Sequence, residues 1–150
     1  MFGRNGKLIA WFYFGERLKN DRVILLKMKQ VPSSLRMWFA FHFIADMLFA
    51  IPLMIAPVWM LSMLGFMGAD VLVARLVAAA FIGIGGTSLL LKNKGWETYD
   101  TMLTLKIVWS SSAILGTILS IAHGTSPFAW VVLGIFVLFF VVWVYYKRRL

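Results

Sequence analysis

Residues 37–59 read MWFAFHFIADMLFAIPLMIAPVW. The run is longer than the about 20 apolar residues a helix needs to cross a bilayer core. Only His42 and, one helical turn later, Asp46 interrupt it with titratable groups. So long an oily stretch places the chain in a membrane and makes its backbone helical, because no water is present there to satisfy peptide groups.

Working outward, three more runs have the same character. The expected spans cover about 37–64, 70–91, 102–122 and 127–146. The whole 150-residue chain is 61% hydrophobic and 14% charged. A water-soluble domain is nearer half apolar. The expected fold is an all-α integral membrane protein of four transmembrane helices in an antiparallel bundle (residues 37–150), preceded by a basic amphipathic segment (residues 1–36). Pro52 and Pro57 predict a kink or tilt in the first span. VPSSLR, residues 31–36, offers Ser33 or Ser34 as its N-cap. Ser126 followed by Pro127 opens the fourth span.

The formal net charge is +9. Of the fifteen Lys and Arg residues, eight precede the first span, Lys92 and Lys94 lie in the second loop, and Lys147, Arg148 and Arg149 close the chain. All thirteen fall on one side of a four-span threading, and the two opposite loops carry none. The positive-inside rule then puts both termini in the cytoplasm, in the inner membrane of a prokaryote. The basic residues flank oily runs, so nucleic acid is not the expected partner. No cleavable signal is visible: LIAWFYF, residues 8–14, is short and lacks a small-residue cleavage site. Residues 7–30 mix Leu8, Trp11 and Leu18 with Lys7, Arg17 and Lys19, as in a basic segment lying on anionic lipid or docking a partner.

Helices in lipid meet through small residues. Ala79, Gly83, Gly85 and Gly86 on the second span, and Ser112, Gly116 and Ser120 on the third, predict a packing seam between them. The fourth span, rich in large residues, is expected to face lipid, with Trp143, Tyr145 and Tyr146 at its interfacial end.

Threading at 1.5 Å per residue places His42 about 7–8 Å and Asp46 about 13 Å into the first span, with Lys106 about 6–8 Å deep on the third. Thr87 and Ser88, near the end of the second span, and Ser110, one turn beyond Lys106, share that half of the bundle. Lys106 is the expected ion-pair partner of Asp46, with His42 beside them. Arg75, at the opposite end, is expected to snorkel outward. Two readings of the six polar residues stand. They form a pocket for a small polar headgroup or a proton relay, or they form a buried pair that sets helix register.

Several chemistries are excluded. No cysteine exists for thiolate, disulfide or Fe–S chemistry. The two histidines, His42 and His123, lie toward opposite faces and make no metal site. GIGGTS, residues 83–88, lacks the lysine of a phosphate loop. No G-x-S-x-G motif is present, and no catalytic residue or cofactor is assigned. NKGWETYD, residues 93–100, reads first as a solvated loop whose acids neutralise nearby lysines, and second as a contact for a partner.

IPLMIAPVWMLSMLGF (51–66), then VARLVAAAFIGIGG (73–86), then ETYDTMLTLKIVWSSSAILG (97–116) resemble, in that order, the DoxX-like group of small four-helix membrane proteins. The likeness covers about residues 38–122. It implies a four-helix fold; the group is mostly uncharacterised, and some members accompany quinone-linked oxidoreductases as membrane subunits. It implies no catalytic residue. The expected function is a non-catalytic accessory subunit of a membrane complex, or a binder of lipid or a small lipophilic molecule, in contact with membrane lipids and assembled as a homo-oligomer or with other proteins. The alternatives are an enzyme or redox subunit with a quinone-like headgroup pocket, and a small oligomeric transporter.

Overall fold

A computed structural model describes residues 14–20, 31–68, 70–91 and 94–150. Residues 14–20 form a short exposed helix, α1, in a unit of its own, Met1–Gln30. Of the rest of the expected N-terminal segment, residues 1–13 and 21–30 lie outside the described residues, and its last four, 33–36, are the first turn of α2. Five helices follow in the second unit: α2 (Ser33–Ile55), α3 (Pro57–Met63), α4 (Val71–Leu90), α5 (Trp96–Ala122) and α6 (Phe128–Lys147). No strand occurs among the described residues. α2, α4, α5 and α6 are each long and apolar enough to cross a membrane.

Local chemistry sets the helix ends. Ser33 is the first helical residue of α2 and Pro32 its cap, with no side-chain capping bond, so the expected serine cap is absent. The first span is two helices. Ala56 leaves the helical conformation (φ −133°, ψ 62°), as the residue before a proline tends to. Pro57 then opens α3, where its missing N–H costs nothing. The break leaves carbonyls at the end of α2 without helical donors, and Arg75 Nε donates to one of them, Met54 O, at 3.4 Å. Arg75 thus braces α4 against α2.

Asp70 caps α4: its Oδ1 accepts from the N–H groups of Leu72 at 2.7 Å and Val73 at 3.1 Å. Ser126 Oγ accepts from Phe128 N–H at 3.3 Å and donates to Leu64 O at 2.8 Å, tying the start of α6 to the end of α3. Gly65 lies against that hydroxyl at φ +75°, where a side chain would be strained and crowded. α5 begins at Trp96, six residues before the expected span, so the second half of NKGWETYD is its first turn. There Asp100 pairs with Lys147, in the last turn of α6, at 2.6 Å. Lys147 also suits the helix end it occupies.

α2 packs on α4, and α5 on α6. The expected α4–α5 seam is not formed. Ala79, Gly83, Ser112, Gly116 and Ser120 are exposed, and an added Cβ at Gly83, Gly86 or Gly116 would meet nothing. Small residues permit close approach without dictating which helix approaches. The tight seam lies instead between α2 and α4, at Ala50, Ala74, Ala78 and Gly85. The two pairs meet through large side chains: Leu35 and Phe39 of α2, Tyr99 and Leu103 of α5, and Phe139 and Trp143 of α6 form one buried cluster. Trp143, expected at the interface, has no exposed surface. Around this core the surface is apolar, with Ile44, Leu48, Leu90 and Trp130 all more than half exposed, as lipid contact requires.

Candidate functional site

The inner face of α2 carries Leu35, Phe39, His42, Asp46, Ala50 and Leu53, at three- and four-residue spacings. His42 and Asp46 therefore point where the leucines and phenylalanine point. The matching face of α5 carries Tyr99, Met102, Leu103, Lys106 and Ser110.

Lys106 is wholly buried and its Nζ lies 3.1 Å from His42 Nδ1. The same His42 nitrogen lies 2.8 Å from Asp46 Oδ2. The lysine therefore meets the histidine, and His42 stands between the two charges. This corrects the expected direct pairing of Asp46 with Lys106. His42 reaches further because the imidazole spans the gap between α2 and α5, while the aspartate side chain is too short. The contact between His42 and Asp46 is close, but it is not aligned as a hydrogen bond, and Oδ2 has no hydrogen-bond partner.

Aromatic rings enclose the cluster. Lys106 Nζ lies 5.0 Å from the Phe39 ring centroid and 5.1 Å from that of Trp143. Both are distances at which a cation is held by a ring face. His42 sits edge-to-face on Phe139 at 4.6 Å and Trp143 at 5.3 Å. These rings were not legible as site residues. Phe39 shares the His42 face by spacing, but nothing in an almost uniformly apolar α6 marks Phe139 and Trp143.

Gly85 brings α4 against Asp46. A Cβ there would stand 2.7 Å from Asp46 Oδ2 and 2.9 Å from its Cβ. The remaining candidates do not join by hydrogen bonds. Thr87 Oγ1 donates to Gly83 O, and Ser88 Oγ to Ile84 O at 3.0 Å, each within its own helix. Ser88 lines a separate groove of about 220 Å³ beside Arg36 and Tyr99. Ser110 is buried, and its hydroxyl has no hydrogen-bond partner among the described residues.

A cavity of about 230 Å³ opens beside His42 and Asp46. Its walls come from α2 (Phe49, Leu53), α3 (Leu61), α4 (Phe81) and α6 (Val132, Phe136), and every lining residue except His42 and Asp46 is apolar. A second cavity of about 460 Å³ adjoins it through Phe66, Val77, Phe81, Val132 and Phe136, and includes Thr117, Ser120 and Thr125 of the far end. The large aromatic cluster joins the helix pairs at the end where α2 begins, and at the far end the Ser126–Leu64 hydrogen bond and the Phe66–Phe128 ring contact join them beside these cavities. Among the described residues no group of acidic and histidine side chains could hold a metal.

The four long apolar helices and their apolar surface define a small multi-pass membrane protein. No protein-family model, curated protein or solved structure matches the chain.

Proposed function

We propose that this protein binds a small lipophilic molecule within the membrane and performs no chemistry on it. The observation that carries the reading is the cavity of about 230 Å³ beside His42 and Asp46, apolar apart from those two residues. Ligand sites are typically apolar concavities with a few polar groups that fix orientation. In this reading the chain lies in the inner membrane of a prokaryote with both termini cytoplasmic, and the polar cluster sits in the cytoplasmic half. The DoxX-like resemblance supports the four-helix plan and names no ligand. Filling the cavity tests the reading. Hexylbenzene should raise the thermal midpoint of the purified protein and leave that of Val132→Phe unmoved. Equal responses from both proteins would place the binding elsewhere.

A second reading, an accessory role in a larger assembly, is favoured by the exposed small residues of α4 and α5. Gly83 and Gly116 leave open space that another helix can enter. The native mass after gentle solubilisation tests it: a multiple of the chain, or a stoichiometric second protein, supports assembly, and a single chain opposes it.

A further inference from the structure

The geometry points to a neutral hydroxyl donor, a lipophilic alcohol or phenol, as the occupant of the cavity beside His42 and Asp46. The inference rests on the binding reading above and adds the chemistry of the ligand's head.

Proton placement carries the first step. Lys106 Nζ lies over the faces of Phe39 and Trp143, where a cation is stabilised. An ammonium has donors only, so at 3.1 Å His42 Nδ1 must accept from it. A ring nitrogen that accepts carries no proton to donate. Asp46 Oδ2, 2.8 Å from the same nitrogen, then receives nothing from it. The opposite placement, a proton on Nδ1 directed at Asp46, sets an N–H against the Lys106 ammonium in a site where the lysine is fully buried. One nitrogen cannot serve both neighbours, and the lysine has the stronger claim.

Asp46 is thus a carboxylate without a donor. It is 8% exposed, it lines the cavity, and its Oδ2, though 2.8 Å from His42 Nδ1, takes part in no aligned hydrogen bond. No hydrogen bond from a described residue reaches it. A buried carboxylate in that condition is costly, and the cost falls when a donor arrives. The cavity beside it is walled by hydrocarbon, so a donor that enters there comes on an apolar body.

Charge decides which donor. Asp46 and Lys106 already balance. A protonated amine would add an uncompensated charge among apolar walls, whereas a hydroxyl adds none. Size sets a further limit. The space of about 230 Å³ beside the two residues takes one ring, and the adjoining cavity of about 460 Å³ takes a short tail.

The test uses the full chain in lipid nanodiscs and three matched probes: para-hexylphenol, its methyl ether, and para-hexylbenzylamine. Binding to empty nanodiscs is subtracted. A hydrogen bond to a charged acceptor should make the phenol bind between about tenfold and a hundredfold tighter than the ether. The amine should bind more weakly than the phenol. Asp46→Leu should erase the preference of phenol over ether. Should that variant fail to fold, the wild type alone suffices: an infrared carboxylate band should shift with the phenol and stay still with the ether. Equal affinity for phenol and ether, both blocked by Val132→Phe, would leave a lipophile site and overturn the hydroxyl donor. An amine that binds tightest would overturn neutrality. If none of the probes responds to Val132→Phe, the binding reading itself fails.

Discussion

At Gly85 an added methyl would press into the side chain of Asp46, 2.7 Å from Oδ2, whereas at Gly83 and Gly86 it would meet nothing. Gly85→Ala should therefore cost about 1–3 kcal/mol through forced separation of α4 from α2. Gly83→Ala should be neutral or stabilising, since alanine favours a helix over glycine by roughly 0.5–1 kcal/mol. Thermal midpoints in one detergent compare them, and equal losses would mean that the α2–α4 contact is not tight at Asp46. The polar cluster makes a second residue-level prediction. In double-mutant cycles with Lys106→Met, coupling to His42→Phe should exceed coupling to Asp46→Leu, because of the two only His42 lies within hydrogen-bond distance of the lysine. Coupling in such contacts runs at about 0.5–3 kcal/mol; stronger coupling to Asp46 than to His42 would restore a direct pair. Periodicity revealed that His42, Asp46 and Lys106 share a depth and an inward face. It could not reveal that the histidine intervenes, which depends on side-chain reach across the gap.

Among the elements, α4 has a side-chain cap at its start. Asp70 supplies two hydrogen bonds to its first turn, and Asp70→Ala should lower stability by about 0.5–2 kcal/mol, measured as a shift in the thermal midpoint. Lys147→Ala, by contrast, should cost about 1 kcal/mol or less. Its pair with Asp100 is about one-third exposed on both sides, and solvent screens it. A cost equal to that of Asp70→Ala would show that the α5–α6 tie is desolvated by lipid. The four spans and the break before Pro57 were readable, because length, apolarity and proline act locally; Pro52, expected to act with it, lies inside the continuous α2. The helix partners were not. Ser112, Gly116 and Ser120 are spaced for packing, yet they lie on an exposed face. Large rings such as Trp143, which resemble lipid-facing residues in sequence, join the two pairs.

For the whole molecule, the charge distribution and the cavity make separate demands. Thirteen of fifteen basic residues flank the spans on one side of the threading. Reporter fusions at the turns containing Gly68 and Gly124 should therefore report the side away from the cytoplasm. A cytoplasmic signal at either turn would break the four-span arrangement. The cavity between the helix pairs was not legible in the sequence, since it arises from which helices pair and where the aromatic cluster holds them. It is also the centre of the functional account. Native mass spectrometry of the protein released from its own membrane tests that account most directly. Wild type should retain a small non-protein mass that Val132→Phe, folded to the same thermal midpoint, has lost. Identical bound masses in the two proteins, or none in either, would contradict the account.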